Sequence, residues 1–93
     1  MTRRRAQAAT QRGLPPRGVM PPVANPDGVV VRPASRPSEA AMGGQSLWDD
    51  NGGEWRYYPA DQWHNAHWDY NDHATPNSPW RNVSIGGKPP VKG

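Results

Sequence analysis

The sequence predicts a small α+β or mostly antiparallel β module behind a disordered N-terminal leader. Three observations predict it. All five tryptophans, all three tyrosines and all three histidines fall in residues 44–93. Seven of the twelve prolines fall in residues 1–43. The C-terminal half also repeats short segments of alternating polarity, separated by turn residues, which is the period of a half-buried strand.

Residues 1–43 read as the leader. They contain no aromatic residue and too little apolar mass to offset the entropy of an ordered chain. Pro15–Pro16, Pro21–Pro22, Pro26, Pro33 and Pro37 interrupt any helix longer than two turns. Thr2–Gln11 is expected as no more than a short, frayed helix. Val29–Arg32 is expected as a single strand with no evident partner. Seven arginines against Asp27 and Glu39 give the leader a charge of +5, whereas the remainder carries −2, so the net +3 belongs to the leader. The basic pI is therefore no argument that the module binds nucleic acid. Arg3–Arg5 would add only a few salt-sensitive phosphate contacts.

Some classes are excluded at once. Without cysteine there is no disulfide, thiolate nucleophile or Cys-based zinc site. No purely apolar run exceeds three residues, as in Val29–Val31, which excludes a transmembrane helix and a signal-peptide core, and no membrane insertion is expected.

Residues 44–93 read as the working module. Asp50–Asn51–Gly52–Gly53 is a turn signal joining Ser46–Leu47–Trp48 to Glu54–Trp55–Arg56–Tyr57–Tyr58 as a hairpin. In the second strand Trp55 and Tyr57 share one face, and Glu54, Arg56 and Tyr58 share the other. Pro59 ends it. Ala60–Asn65 is expected as a helical turn with Asp61 near its positive end. In Ala66–Tyr70, His67 and Asp69 face one way and Trp68 and Tyr70 the other. Asn71–Pro79 has loop composition. Trp80–Ile85 is a last strand, with Trp80, Asn82 and Ser84 opposite Arg81, Val83 and Ile85.

The chemistry concentrates in Trp63–His73, WHNAHWDYNDH, with three His and two Asp in eleven residues. Metal-independent RNA cleavage needs a base for the ribose 2′-OH, an acid for the leaving oxygen and a cation for the phosphorane. His67 and His73 suit the acid and base roles, because an imidazole titrates near neutrality. Asp69 would orient one imidazole. Arg81, Arg56 or Lys88 would supply the cation that meets the phosphate. Trp63, Trp68 and Tyr70 would stack a base. The competing readings are plainer: Trp63, Trp68 and Tyr70 as core, Arg56 as a partner of Glu54 or Asp69. A metal site from His64, His67 and His73 with Asp69 is a second alternative, although the spacing fits no strong zinc pattern. A non-catalytic module with an aromatic recognition face is a third. The expected reading needs no cofactor.

Gly53–Glu54–Trp55–Arg56, His64–Asn65, His67–Trp68–Asp69–Tyr70 and Pro79–Trp80–Arg81–Asn82 together resemble the C-terminal toxin domains of bacterial polymorphic toxins. The resemblance covers roughly residues 44–92. It implies a ribonuclease toxin, secreted or delivered into the cytoplasm of a target bacterium by a separate domain or secretion apparatus, with RNA as substrate and a cognate immunity protein as partner. A fainter resemblance is to the ribosome-cleaving colicins, whose catalytic segment has Trp–Asp and then His on a twisted antiparallel sheet. Trp68–Asp69 matches it, and His73 comes one position late. The glutamate that follows the His in those colicins has no counterpart in this segment. The likeness marks Asp69 and His73, with Arg81 as the later cation.

Overall fold

A computed structural model describes residues 13–85. The fold is mostly antiparallel β: one five-stranded sheet in the order β1-β2-β3-β4-β5, each strand beside its neighbour in sequence. The strands are β1 (Val30–Pro33), β2 (Gln45–Trp48), β3 (Glu54–Tyr58), β4 (His67–Asn71) and β5 (Arg81–Ser84). One short helix, α1 (Pro37–Ala41), lies in the β1–β2 connection.

The expected hairpin is present. Leu47 pairs with Trp55 and Trp48 with Glu54. Its turn is organised by Asp49, whose Oδ1 accepts from the backbone N–H groups of Asn51 and Gly53 at 2.9 and 2.8 Å. Asp49 Oδ2 accepts from Trp55 Nε1 at 3.0 Å, tying the turn to the core. Gly52 supplies the left-handed step, with φ of 82°.

Strand alternation divides the sheet. Leu47, Trp55, Trp68 and Tyr70 form the buried core on one face. Trp55 and Tyr70 rings lie 4.3 Å apart, and Trp68 meets both Trp55 and Tyr57 edge-on. Leu14, Val19, Val23 and Val29 pack against this cluster from the preceding chain. Beyond Trp55, Gly13 takes over the ladder, its carbonyl accepting from Tyr57 N–H at 2.8 Å. A Cβ there would collide with the Gln45 carbonyl and approach the Arg56 guanidinium to 2.7 Å, so only glycine fits.

These contacts correct the expected boundary at Gly44. Among the described residues, 13–43 belong to the fold. β1 pairs with β2 over four positions, Val30 to Trp48 through Pro33 to Gln45. A four-residue run such as Val30–Pro33 cannot show a partner by its own pattern, because pairing is non-local. The prolines that forbid long helices are compatible with an extended strap over the apolar face. Ala60–Asn65 is also corrected: it forms no helix. Asp61 Oδ1 instead accepts from Trp63 and His64 N–H at 2.8 and 2.6 Å, an Asx turn. The expected helix at Thr2–Gln11 and the arm Arg3–Arg5 lie outside the described residues.

Candidate active site on the polar face

The second face of the sheet is polar by the same alternation. In β3 and β4 the pairs Glu54–Asn71, Arg56–Asp69 and Tyr58–His67 form a row. Asn82 and Ser84 of β5 continue it beyond Asp69 and His67. The β1–β2 connection lies over this row, bringing Ser35, Arg36 and Glu39 onto it.

Glu54 is fully buried, with 0 % exposure, and its carboxylate accepts four hydrogen bonds. Ser35 donates from both its backbone N–H, at 3.0 Å, and its hydroxyl. The Ser46 hydroxyl donates at 2.6 Å and His73 Nε2 at 2.7 Å. Burial alone would raise the carboxyl pKa. The hydrogen bonds from Ser35, Ser46 and His73 outweigh it and hold Glu54 below its ordinary value, so it stays ionised.

His73 is held deliberately. Its backbone is left-handed, φ 52°, an uncommon state for a residue with a side chain. Asn71 stabilises it: Oδ1 accepts from His73 N–H at 2.8 Å, while Nδ2 donates to the Ser78 carbonyl at 3.1 Å. The ring stacks on Trp48 at 5.3 Å and meets Trp80 edge-on at 6.2 Å. Its side chain is still 31 % exposed, so a substrate can reach it.

His67 and Asp69 stand together as the alternation requires, with His67 Nε2 3.5 Å from Asp69 Oδ1. His67 Nδ1 faces the Asn65 carbonyl at 3.0 Å, which fixes that nitrogen as the donor and turns Nε2 toward Asp69. Arg36 reaches Asp69 Oδ2 at 3.9 Å, and its guanidinium lies 4.2 Å from the Trp80 ring centroid. A continuous belt results: His67, Asp69, Arg36, Trp80, His73, Glu54.

Several expected roles are corrected. Trp68 and Tyr70 are core side chains, 0 % and 6 % exposed, with no free ring face for a base. Burial raises the Tyr70 hydroxyl pKa, with Asp49 and Asp72 adding to it and Arg81 opposing. Arg81 pairs with Tyr70 across β4–β5, on the face opposite Asp69, so it is not the cation of this site. Arg56 is 1 % exposed and engaged inside the protein. Its Nη1 donates to the Gln45 carbonyl and Ser46 hydroxyl at 3.0 and 3.1 Å, and Nη2 pairs with Glu39 at 3.2 Å. It acts as a buried counter-charge and does not meet phosphate. Lys88 lies outside the described residues. The cation that reaches Asp69 on the polar face is Arg36, and the carboxylate beside His73 is Glu54, from β3.

His64, His67 and His73 do not converge. His64 and His67 rings are 6.5 Å apart, while His73 lies at the other end of the row. Among the described residues no three His, Asp or Glu side chains are arranged to hold a metal ion. No helix among the described residues is long and apolar enough to cross a membrane. No protein-family model, curated protein or solved structure matches the chain.

Proposed function

We propose that this chain is a ribonuclease that cleaves RNA by attack of the ribose 2′-OH on the adjacent phosphorus, without a metal ion. One observation carries the reading: two imidazole–carboxylate pairs, His67–Asp69 and His73–Glu54, share one sheet face with Arg36 between them. The reaction needs those parts and little else. One imidazole removes the 2′-OH proton as O2′ bonds to phosphorus. The P–O5′ bond breaks, and the other imidazole delivers a proton to O5′. The products are a 2′,3′-cyclic phosphate and a 5′-hydroxyl, and the proton count is unchanged. Arg36 would stabilise the phosphorane, where a preorganised donor is most effective. Asp69 and Glu54 are positioning residues that orient the imidazoles. Trp48 and Trp80 wall the His73 end.

The resemblance to polymorphic toxin tips supports a wider reading. The RNA would be that of a competing bacterium, the chain would reach that cytoplasm by a delivery domain or secretion apparatus, and an immunity protein would protect the producer. Induced expression tests the first step. Growth arrest with degraded total RNA is expected, and it should be lost in His67→Ala, Asp69→Ala and His73→Ala. Intact RNA with growth arrest would point to another target. Intact RNA with normal growth would favour the non-catalytic binding module.

A further inference from the structure

We infer that the open pocket beside His67 is a subsite for an unpaired nucleobase of the RNA strand being cut. The inference rests on the RNA-cleavage reading above and adds where the nucleotide next to the scissile phosphate docks. The pocket, about 540 Å³, is lined by Tyr58, Asp61, His64, His67 and Asn82, with Ala60 and its neighbour Pro59 forming one side. It is the size of small-molecule sites.

Three features select a neutral, planar, edge-polar ligand. Tyr58 and His67 rings lie nearly parallel, 5.5 Å apart and 14° between planes, and His64 adds a third ring 6.5 Å from His67. Such surfaces suit base stacking. Asp61 stands at the pocket as the one anion in the lining, its carboxyl held below the usual range by the Trp63 backbone N–H, against desolvation, and by the His64 backbone and ring. An anionic group is disfavoured there, which leaves the phosphate to Arg36 and the neutral base to the pocket. Asn82 supplies edge recognition. Its carboxamide offers a donor and an acceptor, and it lines the pocket while its backbone pairs with Asp69. The pocket therefore continues directly into the reactive row through both His67 and Asn82.

The Asx turn explains why the pocket is preformed. The Asp61 carboxylate anchors Trp63 N–H and His64 N–H, and the Asp61 N–H donates to the His64 carbonyl at 2.9 Å. The loop keeps its shape without a helix.

Neutral nucleosides isolate the base subsite from any phosphate effect. The full chain, labelled with ¹⁵N, is titrated with adenosine, guanosine, cytidine and uridine. The expected result is a saturable shift of the Asn82 side-chain amide and of the His64 and His67 rings, with the Trp48 and Trp80 indole N–H signals unmoved. Ala60→Phe, which fills the pocket from an exposed loop position, should weaken nucleoside binding at least tenfold. It should also raise KM for a dinucleotide while leaving kcat largely intact. Asn82→Ala should flatten the preference among the four bases. Shifts centred on Trp48 and Trp80, saturation unaffected by Ala60→Phe, or no shift at millimolar nucleoside would overturn the subsite. The two readings fail separately. RNA cleavage without nucleoside binding here removes the subsite alone. Nucleoside binding here without RNA cleavage keeps a base-binding pocket and removes the nuclease.

Discussion

Replacing Glu54 by Gln keeps the shape of the side chain and removes its charge. The wild-type carboxylate accepts four hydrogen bonds, from Ser35 N–H, the Ser35 and Ser46 hydroxyls and His73 Nε2, at a site with 0 % exposure. In Gln one oxygen becomes an NH₂ group. The hydroxyls can rotate to accept and His73 can switch tautomer, so each partner remains formally satisfied. What is lost is charge assistance. Bonds to a charged group contribute about 1.5–3 kcal/mol each, against roughly 0.5–1.5 for neutral ones. Losing that difference over several bonds costs about 2–4 kcal/mol. For a domain of this size, that lowers Tm by roughly 10–25 °C at pH 7. The pH dependence is diagnostic. The folded-state pKa of Glu54 lies below its ordinary value of 4.5, so its contribution is fully present above that pH. The contribution disappears as pH falls through the folded-state value. Thermal unfolding of both proteins from pH 7 down to acid should therefore show a gap that narrows below about pH 4.5. Equal stability at pH 7, or a gap that stays constant on acidification, would refute the assignment of Glu54 as a buried, hydrogen-bonded carboxylate.

Other expectations follow from the same geometry. Trp55→Ala removes a side chain at 1 % exposure from the centre of the core and should cost about 3–5 kcal/mol, read by denaturant unfolding. Arg36→Ala should reduce RNA cleavage by about 10²–10³-fold, as for loss of one transition-state donor. Arg81→Ala should leave the rate within a few fold, since that side chain is on the opposite face, and both are read with one RNA substrate. Asp49→Ala removes the acceptor for Asn51 N–H, Gly53 N–H and Trp55 Nε1, and should destabilise by roughly 1–3 kcal/mol in thermal melts.

Much of the sheet was legible because alternation is a local property. It placed Glu54, Arg56 and Tyr58 together, opposite Trp55 and Tyr57, and it placed His67 and Asp69 opposite Trp68 and Tyr70. The expected base-stacking role of Trp68 and Tyr70 ran against that parity, and the core claims both rings. What alternation cannot supply is register between strands. Parity put Arg81 with Val83 and Ile85, and the pairing of Asp69 with Asn82 aligns that face with Tyr70 and the core rather than with Asp69. The contributions of Ser35, Arg36 and Glu39 were invisible for a related reason. They reach the site because β1 pairs with β2, and a basic, proline-rich stretch carries no local sign of that pairing. Glu54 had a partial signal: it shares a face with Arg56 on a strand beside the His/Asp segment. Its contact with His73, nineteen residues away, depends on a left-handed turn set by Asn71.

On the proposed mechanism His67 and His73 share the acid and base roles in cutting RNA. The most direct measurement is the pH–rate profile of the purified full chain on a defined oligoribonucleotide in strong chelator, with product ends identified. A bell-shaped profile is expected, with 2′,3′-cyclic phosphate and 5′-hydroxyl ends. His67→Ala and His73→Ala should each lose about 10²–10⁴-fold and each remove one limb of the bell. Full activity in the double alanine variant, or cleavage that stops in chelator, would contradict the account.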